Sequence, residues 1–342
     1  MKTLRSGIIG CGTIFPMHAQ SIKNIKEARL VAVCDIKKDR ARDKAKKYAC
    51  AGYTDYKKMF AETHLDVVHI CTPHYLHMPM IIEAAKRKIN VISEKPMALN
   101  PEQAKKEIAA AKKNKITFGV IFQNRFNPGS QLVKSRIDDK SLGKLKAAKL
   151  VLTYHKPDSY YKKSDWKGRL NKEGGGVVID QAIHYLDIVR WLIPSPIGYV
   201  EAKCSNRMHT FTDVEDSAEG IVKFKNGFYL CFYLINCYSF DDDPFIDIDC
   251  EKARVHIVKD SAYIGYKNGR NEKAEPGADE YIDYGDGVRD YWGYCHFNEI
   301  REFYRSLAAG KKPAVTAEDA KKTQDLIWAI YESSKRGKKI YL

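Results

Sequence analysis

The sequence has no apolar run approaching the roughly 18–20 residues that cross a bilayer, so it offers no candidate membrane-spanning helix. It has no CxxC pair, and its nine cysteines are scattered singly. An odd count without a framework excludes a disulfide scaffold and points to reduced thiols, mostly buried as small hydrophobes. There is no helix-turn-helix, zinc-finger or RNA-binding signature, no internal repeat and no low-complexity linker. The opening MKTLRSGIIGCGTI places basic residues before an apolar stretch, as a signal peptide would. Glycines break that stretch and no clear small-residue cleavage site follows, so the expectation is a cytoplasmic protein.

What is present is ordinary in amount and specific in arrangement. At 342 residues the chain is too long for one core, and two domains are expected. Hydrophobic residues make up 44%, as in soluble globular proteins. The net charge of +15 would suit nucleic acid, a membrane surface or anionic small molecules. The lysines spread along the whole chain, and acids interleave with them in KKDRARDKAKK. That pattern belongs to solvated helix faces, so neither a nucleic-acid nor a membrane partner is expected.

Short apolar runs alternate with helical patterns through the first third, which predicts an α/β domain built on a parallel sheet. The candidate strands are LRSGIIG, RLVAVCD, LDVVHICT, INVISE and ITFGVIF. Helical stretches lie between them, including KDRARDKAKKYA, MPMIIEAAKRK and NPEQAKKEIAAAKKN, the last with an Asn cap and Pro at the first helical position. After QNRFNPG the rhythm changes to longer alternating runs, and Asn226-Gly227 between two of them is a hairpin signal. The expected boundary puts a dinucleotide-binding domain at 1–124 and an α/β domain with a large, mostly antiparallel open sheet at 125–342. Two helices close the chain, the second with Thr316 as cap and Asp319 three residues on.

Several stretches carry chemistry. GIIGCGTIF follows a strand and precedes a helix, so Gly10 and Gly12, with Thr13 and Ile14, form a turn that lets backbone approach a pyrophosphate at a helix N-terminus. The third position of that fingerprint is Phe15, where Gly or Ala would allow close packing. Asp35 ends the next strand, where an acid binds ribose hydroxyls. CTPHYLH ends another strand. Cys71, His74 and His77 have a spacing that could suit zinc, but no fourth ligand is evident, and a dinucleotide contact from Thr72, Pro73, His74 and His77 is the expectation, with no metal. VISEKPMAL puts Glu94 and Lys95 at the same sheet edge, where an ammonium can polarise a substrate oxygen. Finally, GGGVVIDQAIHYLDIVRW, wound as one helix, aligns Asp180, His184 and Asp187 on a face of an otherwise apolar segment.

Together these residues resemble the glucose–fructose oxidoreductase, inositol dehydrogenase and MocA family over essentially the whole chain. The resemblance rests on GIIGCGTI, Asp35, TPHYLH, EKP, FQNRFNP, GGGVVIDQAIHYLD and VEDSAEGIVKFKNG. It implies a Rossmann domain followed by an α/β domain whose open sheet often mediates oligomers. It also implies nicotinamide-dependent oxidation of a sugar, cyclitol or sugar derivative. Lys95 matches the family's catalytic lysine, His184 the histidine that accepts the hydroxyl proton and Asp180 its acidic neighbour. Gly10, Gly12, Asp35, Thr72, His77, Glu94 and Lys95 match dinucleotide-site positions, while His74 stands where many members carry Asn. SDWKG resembles a segment whose Trp lies near the nicotinamide, which implicates Trp166, and Lys167 stands where Arg is common.

The expected reaction is reversible oxidation of a secondary alcohol with NAD, NADP remaining open because Lys37, Lys38 and Arg40 follow Asp35. Arg125, His155, Tyr160, Tyr161, Arg289 and Tyr294 are candidate cleft residues beside Lys95, Asp180 and His184, and Arg125 would suit an anionic group. Asp187 is expected to be structural. The nearly continuous apolar strand after Asn226-Gly227 predicts a homodimer or homotetramer. A non-catalytic dinucleotide sensor on the same fold is the alternative.

Overall fold

The computed structural model describes residues 3–277, 282–285, 288 and 295–342. The chain divides into two compact units, Met1–Gln123 with Asp279–Lys321 and Asn124–Ala278 with Lys322–Leu342. The first unit therefore takes back a segment from near the C-terminus.

In the first unit, β1 (Leu4–Ile9), α1 (Phe15–Lys23), β2 (Ala28–Cys34), α2 (Lys38–Tyr48), β3 (Ala51–Tyr53), α3 (Tyr56–Glu62) and β4 (Val67–Ile70) are followed by α4 (His77–Lys86), β5 (Asn90–Ser93), α5 (Pro101–Asn114) and β6 (Phe118–Val120). All six strands are parallel in the order β3-β2-β1-β4-β5-β6. Strand order reverses between β1 and β4, and the carboxyl ends of strands at such a point form a ligand crevice. Local signals set several boundaries. The Asn100 side chain accepts the Gln103 N–H at 3.0 Å and Pro101 opens α5. β3 was not among the expected strands: three residues with little burial give no periodic signal. Phe15 is fully buried and meets Tyr48 edge-on at 5.6 Å, so the bulky side chain at the third fingerprint position fills core space.

In the second unit, α6 (Pro128–Asp138), β7 (Leu145–Thr153), α7 (Asp158–Lys162), α8 (Leu170–Glu173), α9 (Val177–Asp180) and α10 (Ile183–Leu192) precede β8 (Ile197–Ser205), β9 (Ser217–Phe224), β10 (Tyr229–Ile235), β11 (Phe245–Cys250), β12 (Ala253–Val258), β13 (Ser261–Tyr266) and β14 (Asn271–Ala274). Then come α11 (His296–Ala308), which belongs to the first unit, α12 (Ala317–Arg336), within which the chain passes to the second unit, and β15 (Ile340–Tyr341). The nine-stranded sheet runs β14-β13-β12-β11-β7-β10-β9-β8-β15, antiparallel except for the β10–β7 pair. The β9–β10 hairpin turns at Asn226-Gly227, with Gly227 at φ +88°. Leu230, Phe232 and Leu234 of β10 are buried on one face of this sheet.

α11 completes the first unit's core: Ile300, Phe303 and Tyr304 pack with Ile8, Phe15 and Val33. Burying such a side chain contributes about 1.5–3 kcal/mol. Among the described residues no helix is long and apolar enough to cross a membrane.

Candidate functional site

The first unit presents its chemistry at the carboxyl ends of β1, β2, β4 and β5. Gly10 turns at φ +97°, and a Cβ there would sit 2.4 Å from the Cys71 carbonyl oxygen, so only glycine fits. A Cβ on Gly12 would meet nothing within 4 Å, which leaves open space over the turn where backbone N–H groups meet the start of α1. That space, with exposed Thr13 and half-buried Ile14, fits a pyrophosphate. Asp35 is 8% exposed; its carboxylate accepts the Cys11 N–H at 2.9 Å and the Lys37 N–H at 2.8 Å. A fixed anion thus stands where the adenosine ribose would be read.

At the end of β4, Thr72 and Pro73 lead into a single 3₁₀ turn, His74–Leu76, with His74 buried. His77 is fully buried, its Nδ1 2.8 Å from the Pro96 oxygen and its Nε2 2.9 Å from the Thr72 oxygen. The ring ties the ends of β4 and β5 together, and with both nitrogens facing carbonyls neither is presented to a metal. Burial pulls the His77 pKa down against those carbonyls. Glu94 is 7% exposed and Lys95, half-buried, follows it at the same edge.

The second unit builds its site on a glycine run. A Cβ on Gly176 would fall 1.8 Å from the Glu215 oxygen, and one on Gly175 2.0 Å from the Tyr331 hydroxyl. This close approach lets the Glu215 carboxylate accept the N–H groups of Gly176 at 2.8 Å and Val178 at 3.0 Å, while the Tyr331 hydroxyl donates to it at 2.9 Å. The start of α9 is thereby held, and with it Asp180. One oxygen of Asp180 accepts from the Tyr160 hydroxyl at 2.7 Å, Lys167 Nζ at 2.8 Å and Gln181 Nε2 at 2.6 Å. The Lys167 ammonium also lies 4.5 Å from the ring centres of both Tyr160 and Trp166. Gln181 in turn accepts from buried Asn236 at 2.9 Å, and Asn236 donates to Tyr161 at 3.0 Å.

The expected single helical stripe is not what forms. α9 ends at Asp180 and α10 begins at Ile183; the Ala182 N–H reaches back five residues to the Val177 oxygen at 2.8 Å. This π-type turn inserts a residue between Asp180 and half-buried His184, so the two are not in line on one regular helix. Asp187 is structural, as expected: Arg125 grips it with two bonds of 2.6 Å and the Thr323 hydroxyl donates at 2.5 Å. Burial would raise the Asp187 pKa, but Arg125 beside it keeps it below the usual range. The same pairing corrects the reading of Arg125 as a group for an anionic substrate. Its guanidinium is 3% exposed and engaged with Asp187, because a buried cation needs a buried counter-charge.

His155 is exposed, with Nδ1 donating to the Tyr238 oxygen at 2.7 Å. Trp166 belongs to the second unit, and Arg289 and Tyr294 lie outside the described residues. Sequence reasoning missed Glu173, Gln181, Glu215 and Asn236. Gln181 adjoins Asp180, Glu173 precedes the glycine run and Glu215 lies within VEDSAEG, which were usable signals; Asn236 gave none.

Residues 4–122 match the oxidoreductase family with NAD-binding Rossmann fold, GFO_IDH_MocA, and residues 134–342 match the C-terminal alpha/beta domain of that oxidoreductase family. The chain is 24% identical over 348 residues to myo-inositol 2-dehydrogenase of Thermotoga maritima, covering 99% of this chain and 98% of the relative. It is 26% identical over 362 residues to D-glucoside 3-dehydrogenase of Escherichia coli, covering 99% and 97%. The WlbA dehydrogenase from Bordetella pertussis, solved in complex with NADH and UDP-GlcNAcA, is similar in structure with a TM-score of 0.86 at 25% identity, covering 100% of this chain and 98% of that one.

Proposed function

The chain belongs to the GFO_IDH_MocA oxidoreductase family with its NAD-binding Rossmann fold, and from that premise we propose that it moves a hydride between NAD and a secondary alcohol of a sugar, cyclitol or sugar derivative. The observation that carries this reading is Asp180, held by Tyr160, Lys167 and Gln181 one turn before His184. Such an arrangement is costly in a core, and a site that works on a proton is one place where that cost is recovered.

Bound nicotinamide supplies the hydride acceptor. The chain supplies the rest. His184 takes the hydroxyl proton, and Lys95 stabilises the developing alkoxide by its charge. Asp180 orients His184 or raises its basicity. Gly10, Gly12, Thr13 and Ile14 shape the pyrophosphate turn. Thr72, Pro73, His74, His77 and Glu94 line the edge beside it, and Trp166 serves the nicotinamide end. The Asp35 anion accepts from a ribose hydroxyl and repels a 2′-phosphate, which supports NAD over NADP. The outward face of β9 and β10, with Ile221, Tyr229, Cys231 and Tyr233, supports a homodimer or homotetramer, and sedimentation as a monomer at micromolar concentration would rule that out.

The test is a panel of sugars, cyclitols and nucleotide-sugars with both oxidised cofactors, followed by absorbance of the reduced nicotinamide. NAD-linked turnover of at least one polyol is expected. Tight cofactor binding without turnover anywhere in a broad panel would point instead to a dinucleotide sensor.

A further inference from the structure

Behind the Glu94–Lys95 edge lies a chain of buried polar side chains, all in the first unit, that the proposed reaction does not use. His18 Nε2 is 2.8 Å from Glu94 Oε1, and His18 Nδ1 is 2.8 Å from His69 Nδ1. His69 Nε2 is 2.8 Å from the Tyr304 hydroxyl, which is 2.5 Å from the Ser6 hydroxyl. Ser6, His18, His69 and Tyr304 are each fully buried. A neutral imidazole has one donor and one acceptor nitrogen, so fixing one bond fixes them all.

Two directions satisfy the chain, and they differ by one proton. In the first, Ser6 donates to Tyr304, Tyr304 to His69 Nε2, His69 Nδ1–H to His18 Nδ1 and His18 Nε2–H to an ionised Glu94. In the second, a protonated Glu94 donates to His18 and every bond reverses, ending on the Leu4 oxygen, 3.5 Å from Ser6. The geometry favours the first. Glu94 Oε1 also faces His296 Nε2 at 3.4 Å, and an oxygen shared by two imidazole donors is an acceptor. The 2.5 Å Ser6–Tyr304 contact serves both directions, but the second must send the Ser6 proton on to the Leu4 oxygen at 3.5 Å, a poor bond.

We propose that Ser6, Tyr304, His69 and His18 form a one-way hydrogen-bond relay that ends on the Glu94 carboxylate and fixes the strand edge where Lys95 and NAD sit. His18 and Tyr304 are then positioning residues, acting through Glu94. His18 of α1 at 2.8 Å and His296 of α11 at 3.4 Å face the Glu94 carboxylate, His69, Cys71 and His77 lie close enough to feel its charge, and Lys95 is next in sequence. Burial would raise the Glu94 pKa, but hydrogen bonds to His18 and His296 hold it well below the usual range. Burial also keeps His18 and His69 neutral.

The relay rests on NAD binding by the first unit and not on the substrate, so its test needs no turnover. Nitrogen-15 spectra of histidine-labelled full-length protein, assigned with His18→Gln and His69→Gln, should show His18 as the Nε2–H tautomer and His69 as the Nδ1–H tautomer. Both should stay neutral at neutral pH and above. Tyr304→Phe removes the donor to His69 Nε2, so the His69 Nε2 resonance should move while Glu94 keeps both tautomers in place, and the NAD Kd should rise roughly tenfold. Phe303→Leu, an α11 core change outside the relay, should lower Tm while leaving tautomers and Kd alone. Reversed tautomers in the wild type overturn the relay, and that spectrum decides even if Tyr304→Phe does not fold. A folded Tyr304→Phe protein that binds NAD as tightly as the wild type overturns it too.

Discussion

Glu94 in the first unit and Glu173 in the second are both buried, 7% and 1% exposed, yet they are driven in opposite directions. Glu94 faces His18 and His296 and is held well below the ordinary glutamate range although burial opposes this. Glu173 is pushed up to about 8, chiefly by burial. Lys167, 3.6 Å from it, lies nearer Asp180, at 2.8 Å. Burial alone therefore does not decide the state of an acid: two imidazoles outweigh it at Glu94, while the Gly168 N–H and a shared ammonium do not at Glu173. The first unit closes a fixed anion into its cofactor edge. The second shares one ammonium between two acids, leaving Glu173 as the one that keeps a proton at neutral pH.

The sharpest way to break this contrast is His184→Ala. If the second unit does the chemistry while the first binds the cofactor, turnover should fall by roughly a hundred- to ten-thousand-fold, with NAD affinity unchanged by calorimetry. Retention of more than about a tenth of turnover would assign the proton to another group. Next in size is Arg125→Met, which leaves Asp187 in the second unit with Arg190 at 3.4 Å and the Thr323 hydroxyl but without its two-bond partner. Removing one partner of a buried pair costs about 3–5 kcal/mol, read as a loss of Tm. The loss should deepen on the alkaline side, where the abandoned Asp187 must ionise; a Tm near that of the wild type would show that the pair contributes little.

Glu173→Gln tests the protonated acid directly. The folded pKa of about 8 lies above the ordinary glutamate value of 4.5, so the folded protein binds the extra proton between those values. Stability from this group is present at low pH and is lost as pH rises through about 8. Wild-type Tm should carry a downward slope across that window, and the variant should lack it. Equal slopes in the two proteins would put the proton elsewhere. The smallest expected structural effect is Gly12→Ala in the first unit. An added Cβ meets nothing within 4 Å, so stability should stay within about 0.5 kcal/mol, while NAD binding weakens because the methyl fills the pyrophosphate space. Unchanged NAD affinity would move the pyrophosphate off this turn.

Local pattern determined a good deal of this protein by itself. Alternating apolar runs and helical stretches specified the parallel first sheet, Asn100-Pro101 the start of α5, and Asn226-Gly227 the β9–β10 hairpin. These signals act over a few residues, where backbone preference and side-chain period are sufficient. The glycine turn, Asp35, Lys95, Asp180 and His184 were legible as candidates for the same reason: each sits at the end of a strand or at one end of a helix that its neighbours in sequence define. The return of α11 to the first unit, the parallel β10–β7 pair and the π-type turn after Asp180 were decided only by the tertiary structure. So was the pairing of Arg125 with Asp187, 62 positions apart, and of Ser6 with Tyr304, 298 apart. A buried polar group must find a partner wherever the fold brings one, and in a single sequence nothing near Ser6 or Arg125 records which distant residue that will be.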